Sequence, residues 1–219
     1  MTIRILLADE QSLLREAVRF ILEGQADLQV VAEAADGYSA LAEAQRVRPD
    51  VAVLAAGLPL RDGIGVTREL AGSICRVVLL TASEDVGELV QAVQAGASGY
   101  VARNSPLVDL IDAVRVASRG ETAIPPRLIG PLIAQLLDHR RAYDEASRQI
   151  AALTKREREV LYLLAQGADN ETIGRSLLIS PQTARTHIQN ILSKLRVHSR
   201  LEAAALVRRS GILQELIPA

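Results

Sequence analysis

Residues 3–10, IRILLADE, decide the fold. After Arg4 the run is continuously apolar and branched, and it stops on two carboxylates, Asp9 and Glu10. A strand that is apolar on both faces belongs inside a parallel sheet covered on both sides. Working outward, Ser12 is placed to cap a helix whose face is Leu13, Leu14, Ala17, Val18, Ile21 and Leu22, with Gly24 as its stop. A second strand is expected over 28–34 and a second helix over 38–47, closed by Arg48-Pro49. Strands at 51–54, 77–81 and 100–102 alternate with helices at 66–71, 86–95 and 107–119. Five such units make a doubly wound α/β domain with a five-stranded parallel sheet.

The rest of the composition bounds the answer. The chain has 219 residues, 49% of them apolar, which is enough for a sizeable core. No run of 18 uncharged apolar residues occurs, so no membrane span is expected. The acids at Asp9 and Glu10 interrupt any signal-peptide core, and a cytoplasmic location is expected. One cysteine and three scattered histidines (His139, His187, His198) make neither a disulfide framework nor a zinc site, and no metal centre is expected. Cys75 borders an apolar run and reads as a small buried hydrophobe.

Charge divides the chain. Residues 1–125 carry 11 Lys+Arg against 17 Asp+Glu, a balance of −6. Residues 126–219 carry 14 against 9, a balance of +5. A basic domain behind an acidic one points to a polyanion as partner, against the plainer reading of two differently solvated surfaces.

Ligands of such sheets sit outside the carboxyl ends of the strands. Those ends are Asp9-Glu10, Ala55-Ala56-Gly57, Thr81-Ala82-Ser83 and Arg103-Asn104. No glycine-rich phosphate loop follows the first strand, and two carboxylates there repel a nucleotide, so no cofactor is expected. The segments ILLADE, AADGYSAL, RPDVAVL, LPLRDGIGV, VVLLTAS and QAGASGYVARNSP resemble the landmarks of a response-regulator receiver domain, a flavodoxin-like fold. The resemblance implies that Asp9 and Glu10 are the acid pair that helps hold Mg²⁺, and that Thr81 is the hydroxyl after strand four. It also places Ala55 where the family has its phosphoryl-accepting aspartate, and Arg103 where it has a lysine. Alanine cannot form an acyl phosphate. Asp50 lies more than about 10 Å along the strand from that position, and Asp62 sits in the following loop. Arg103 either closes the degenerate pocket by pairing with Asp9 or Glu10 or is simply solvated. Three readings of the vacated pocket follow: a relic in a domain kept for folding and dimerisation, a small-molecule site, or a contact for a protein partner.

Gly120 and Pro125-Pro126 break the pattern, and Leu128, Leu132, Leu136 and Leu137 then recur at helical spacing. From Leu153 the pattern is four short helices. Thr154 with Glu157, and Ser199 with Glu202, read as capping boxes; Asp169 and Ser180-Pro181 read as helix starts. In the third helix Ala184, Ile188, Ile191, Leu192 and Leu195 share one face. Gln182, Arg185, Thr186, Gln189 and Ser193 lie opposite; all can donate hydrogen bonds and none is acidic. Such a face suits the DNA major groove. LTKREREVL and ISPQTARTHIQNILSKL resemble the LuxR-type DNA-binding domain, so the chain resembles an atypical NarL/FixJ-type response regulator. The resemblance puts base reading on Arg185, Thr186 and Gln189, and DNA-backbone contacts on Ser180, Thr183, His187 and Lys194. His187 equally suits a packed helix position.

The expectation is then a degenerate receiver over 1–120, a helical linker over 121–152, and an all-α four-helix LuxR-type helix-turn-helix domain over 153–219. The expected function is sequence-specific transcriptional regulation, not enzymatic, with double-stranded DNA as partner and a homodimer as the acting form, free of aspartyl phosphorylation. The alternatives are a regulator tuned by a small-molecule ligand, or phosphorylation at a substitute acid.

Overall fold

The structure is a computed structural model that describes residues 2–216, apart from the side chains of His139, Gln214 and Glu215. It divides into two compact units, 1–135 and 136–219. The first alternates strands and helices: β1 (Ile3–Ala8), α1 (Ser12–Glu23), β2 (Leu28–Ala34), α2 (Gly37–Val47), β3 (Val51–Ala55), α3 (Gly63–Leu70), β4 (Arg76–Thr81), α4 (Val86–Ala95), β5 (Gly99–Ala102) and α5 (Leu107–Ser118). The strands form one parallel sheet in the order β2-β1-β3-β4-β5. This is the doubly wound sheet expected from the apolar runs. All five residues of β3 are fully buried, as a central parallel strand requires. Ile5, Leu7, Val53, Val78 and Leu80 pack on one face with Val18 and Leu22 of α1 and Leu110 and Val114 of α5.

Register sets the functional edge. Ala8 pairs with Leu54, Ala55 with Leu80, and Thr81 with Ala102. The carboxyl ends of four strands therefore finish level, and Asp9, Ala55, Thr81 and Arg103 stand side by side.

Several local expectations change. Ser12 is the first helical residue, and Gln11 precedes the helix without a side-chain cap. The α3 helix begins at Gly63, ahead of the expected 66, because Asp62 accepts the Gly65 N–H at 2.5 Å and nucleates it early. A Cβ at Gly63 would stand 2.3 Å from the Ala55 carbonyl oxygen, so only glycine lets α3 start against β3. Cys75 is half-buried, and burial pushes its thiol up to about 11.

The stretch expected as a helical linker over 121–152 is not one element. Ala123 bridges Gly99 at the open edge of β5: its N–H donates to Ser98 at 2.8 Å, and its carbonyl accepts from Tyr100 at 3.0 Å. The α6 helix (Pro126–Ala151) then runs through Pro131 and is shared between the units. Leu128 and Leu132 are buried in the first part of α6; Ala146 and Ile150 belong to the core of the second unit.

The second unit continues with α7 (Lys155–Ala165), α8 (Asn170–Leu177), α9 (Pro181–Lys194), α10 (Arg200–Ser210) and a 3-10 turn at Ile212–Leu216. Asp169 and Ser180 cap α8 and α9 as expected, accepting the Thr172 and Thr183 N–H groups. At α10 the box is skewed: Ser199 accepts the Glu202 N–H, but Glu202 reaches back to His198 N–H at 2.8 Å rather than to Ser199. A Cβ at Gly174 would lie 2.8 Å from Ile179 O, so that glycine sets the tight approach of α8 to the turn before α9. Among the described residues no helix is long and apolar enough to cross a membrane.

Glu157 holds the start of α7. Its Oε2 accepts the Thr154 N–H at 2.7 Å, closing the reciprocal capping box, and also pairs with Lys194 Nζ at 2.7 Å. Burial pushes its carboxyl up, but the Lys194 ammonium and the Thr154 hydrogen bonds outweigh that and hold it below the ordinary range. A carboxyl with a depressed folded pKa stabilises fully above the ordinary carboxylate range and loses that effect as pH falls through it. Glu157→Gln is expected to cost about 1–3 kcal/mol at neutral pH. The loss should shrink below about pH 4, as read by urea unfolding followed by circular dichroism at both pH values.

Candidate nucleic-acid interface and the pocket at the sheet edge

The level strand ends form a small, closed constellation. Asp9 is 1% exposed, and each of its carboxylate oxygens has a donor. Oδ1 accepts the Gln11 N–H at 2.9 Å; Oδ2 accepts Arg103 Nη2 at 2.7 Å. The Arg15 guanidinium fixes the backbone here as well, donating to Asp9 O at 2.6 Å and pairing with Glu33 at 2.9 Å. Of the two alternatives for Arg103, the structure shows pairing with Asp9; Glu10 faces solvent. Ala55 is fully buried, so the centre of the constellation is a methyl group. Asp62 is committed to capping α3, and Asp50 lies at the opposite end of β3, accepting Arg4 N–H at 2.8 Å.

Thr81, 1% exposed, turns its hydroxyl away to Glu88 of α4, which also accepts from Tyr100 at 3.0 Å. Burial pushes the Tyr100 phenol up to about 12, so it remains a donor across the ordinary pH range. Sequence reading identified Thr81 but missed Glu88 and Arg15. Their signal was absent because each acts across a fold contact, 7 residues from Thr81 and 6 from Asp9.

On the second unit, α9 divides as its periodicity requires. Ala184, Ile188 and Ile191 are buried; Gln182, Arg185, Thr186, Gln189 and Ser193 are exposed. Ser180 and Thr183 share a 2.7 Å hydroxyl contact at the start of the helix, where free backbone N–H groups and the helix dipole favour an anion. Thr186 Oγ1 donates to Gln182 O at 3.1 Å, which leaves its lone pairs to accept. His187 is half-buried. Lys194 is tied to Glu157, 37 residues away, a partner that its position on the helix does not reveal. Asn190, exposed on the same helix, was not singled out from the sequence.

The comparisons with known proteins agree with this division. Residues 5–115 match the response regulator receiver domain, and residues 151–207 match the bacterial regulatory proteins of the luxR family. The chain is 34% identical over 213 residues to the transcriptional regulatory protein LiaR of Bacillus subtilis, covering 96% of this chain and 99% of that protein. It is 31% identical over 216 residues to the response regulator VraR of Staphylococcus aureus, covering 98% of this chain and all of VraR. Among solved structures, the response regulator ChrA of a heme-sensing two-component system superposes with a TM-score of 0.53 at 32% identity, over 99% of both chains. A parallel sheet with its acid-lined edge, followed by a capped helix-turn-helix, is thus the architecture of a known class. The chain belongs to the LuxR family of bacterial regulatory proteins, as a DNA-binding transcriptional response regulator with a receiver domain ahead of its helix-turn-helix.

Proposed function

We propose that this regulator binds a specific DNA sequence as a homodimer and that aspartyl phosphorylation does not control it. The observation that carries the first part is the exposed face of α9, donor-rich and free of acids. Arg185, Thr186 and Gln189 read base edges, and Ser180, Thr183 and His187 contact the backbone. Lys194 adds charge near the backbone while serving the Glu157 pair.

The second part rests on Ala55 and on the Asp9–Arg103 pair. A receiver's Mg²⁺ takes oxygen ligands from several carboxylates. Here one carboxylate is replaced by a methyl group and another is bonded to a guanidinium, so the donor set does not fit the ion. Asp62, the nearest candidate for a substitute acceptor, has its carboxylate engaged at the start of α3.

Dimerisation is supported by α10. Leu201 is 78% exposed there, and it borders a groove of about 520 Å³ with Ala204, Ala205 and Arg208. A lone helix-turn-helix makes few base contacts, and two of them reading half-sites gain affinity together.

Four outcomes are expected. Treatment with acetyl phosphate and Mg²⁺ should leave the intact mass unchanged; a gain of roughly 80 Da, one phosphoryl group, would refute phosphorylation independence. Arg185→Ala should cost about 1–3 kcal/mol of binding to the preferred site and relax preference at one base pair. Lys194→Ala should weaken specific and random DNA alike and also lower the melting temperature, because it strands Glu157. Equal effects of the two substitutions on specificity, in gel-shift titrations, would overturn the assignment of roles. Sedimentation of untreated protein on a two-half-site duplex should show two chains per duplex; one chain on a single half-site refutes the dimer.

A further inference from the structure

Beside the closed pocket, Glu88 does something its own helix does not require. It stands in the first turn of α4, and its Oε1 accepts from two hydroxyls, those of Thr81 and Tyr100. Both donors are 1% exposed, and Glu88 itself is half-buried. Each hydroxyl has one proton and a neutral alternative: Ser83 O lies 2.8 Å from Thr81 Oγ1 and 3.2 Å from Tyr100 Oη, and Asp85 O lies 3.3 Å from Tyr100 Oη. The carboxylate is the stronger acceptor. Asp85 in turn accepts the Glu88 N–H at 2.7 Å. The segment 82–86 is thereby gripped at both ends.

That segment carries Glu84, whose carboxylate takes both Arg127 Nε, at 2.9 Å, and Arg127 Nη2. Arg127 lies in the first turn of α6, followed by Leu128 and Leu132, each 7% exposed. A Cβ on Gly87 would stand 3.8 Å from Gln135 Nε2, so the third turn of α6 passes the start of α4. All of these residues belong to the first unit. An exposed ion pair between long side chains is weak unless one partner is already fixed. Here Glu84 is fixed by its segment.

We infer that Glu88 is the positioning residue of a latch: by tying Thr81 and Tyr100 it fixes 82–86, and through Glu84 and Arg127 it holds the first three turns of α6 against α4. The latch is a property of the connecting helix and needs no phosphoryl group, so it stands apart from the DNA-binding and dimer readings.

Hydrogen exchange by mass spectrometry on the full chain tests it. Glu88→Ala should speed amide exchange about tenfold or more in both 82–86 and 126–135, while 3–8 and 51–55 stay protected. Glu88→Gln keeps an oxygen for both hydroxyls but loses the charge, and should loosen both segments less than Glu88→Ala does. Arg127→Ala should loosen 126–135 alone, and the Glu88→Ala/Arg127→Ala double variant should loosen that segment no further than the more open single variant. If Glu88→Ala does not fold by circular dichroism, Glu88→Asp, a carboxylate one methylene too short to meet both hydroxyls, is judged by the same criteria. Loosening confined to 82–86, additive loosening of 126–135 in the double variant, or a Gln variant as open as the Ala variant would each overturn the latch.

Discussion

A carboxylate removed from water must find a partner, and the first unit is arranged around that requirement at Asp9. The parallel register brings Arg103 level with it, and the pair joins the end of β1 to the end of β5 across the strands between them. Two further elements depend on this. The loop after β1 is shaped by Gln11 N–H on the same carboxylate, and Arg15 clamps the Asp9 carbonyl from α1. The pair is imperfect, since Arg103 Nε is buried without an acceptor, and that cost is borne by the remaining contacts. The charge of Asp9 is thus answered from within the sheet edge, by the guanidinium of Arg103.

The elements of the fold were legible because their signals are local. Apolar runs marked the strands, interrupted in β2 by Gln29 and Glu33, and side-chain caps at Asp169 and Ser180 marked helix starts to the residue. The errors arose where a local signal competed with a tertiary one. Ser12 looked like a cap but lies inside α1, and α3 starts early because Asp62 caps it and glycine admits it against β3. The leucine period from Leu128 on matches α6 (Pro126–Ala151), but the linker bounds of 121–152 also took in Ala123, which answers the open edge of β5.

The sites were legible by residue type and opaque by partner. The donor-rich face of α9 follows from its periodicity alone, and the buried methyl group at the sheet edge follows from one alanine. What could not be read are pairs separated in sequence: Arg103 with Asp9 across 94 residues, Lys194 with Glu157 across 37, and Arg127 with Glu84 across 43. Each needs the chain to be folded before the two groups are neighbours.

The pairing of Lys194 also bears on covalent modification. The chain has two lysines, Lys155 and Lys194, against 23 arginines. The Lys194 amine is paired with the Glu157 carboxylate at 2.7 Å, and an amine engaged in an ion pair is a poor acyl acceptor. Lys155, exposed at the start of α7, is the side-chain amine open to acetylation. Nearly all the positive charge of the second unit sits on guanidinium groups, which lysine acetyltransferases do not touch. Acetylation can therefore remove little of that charge.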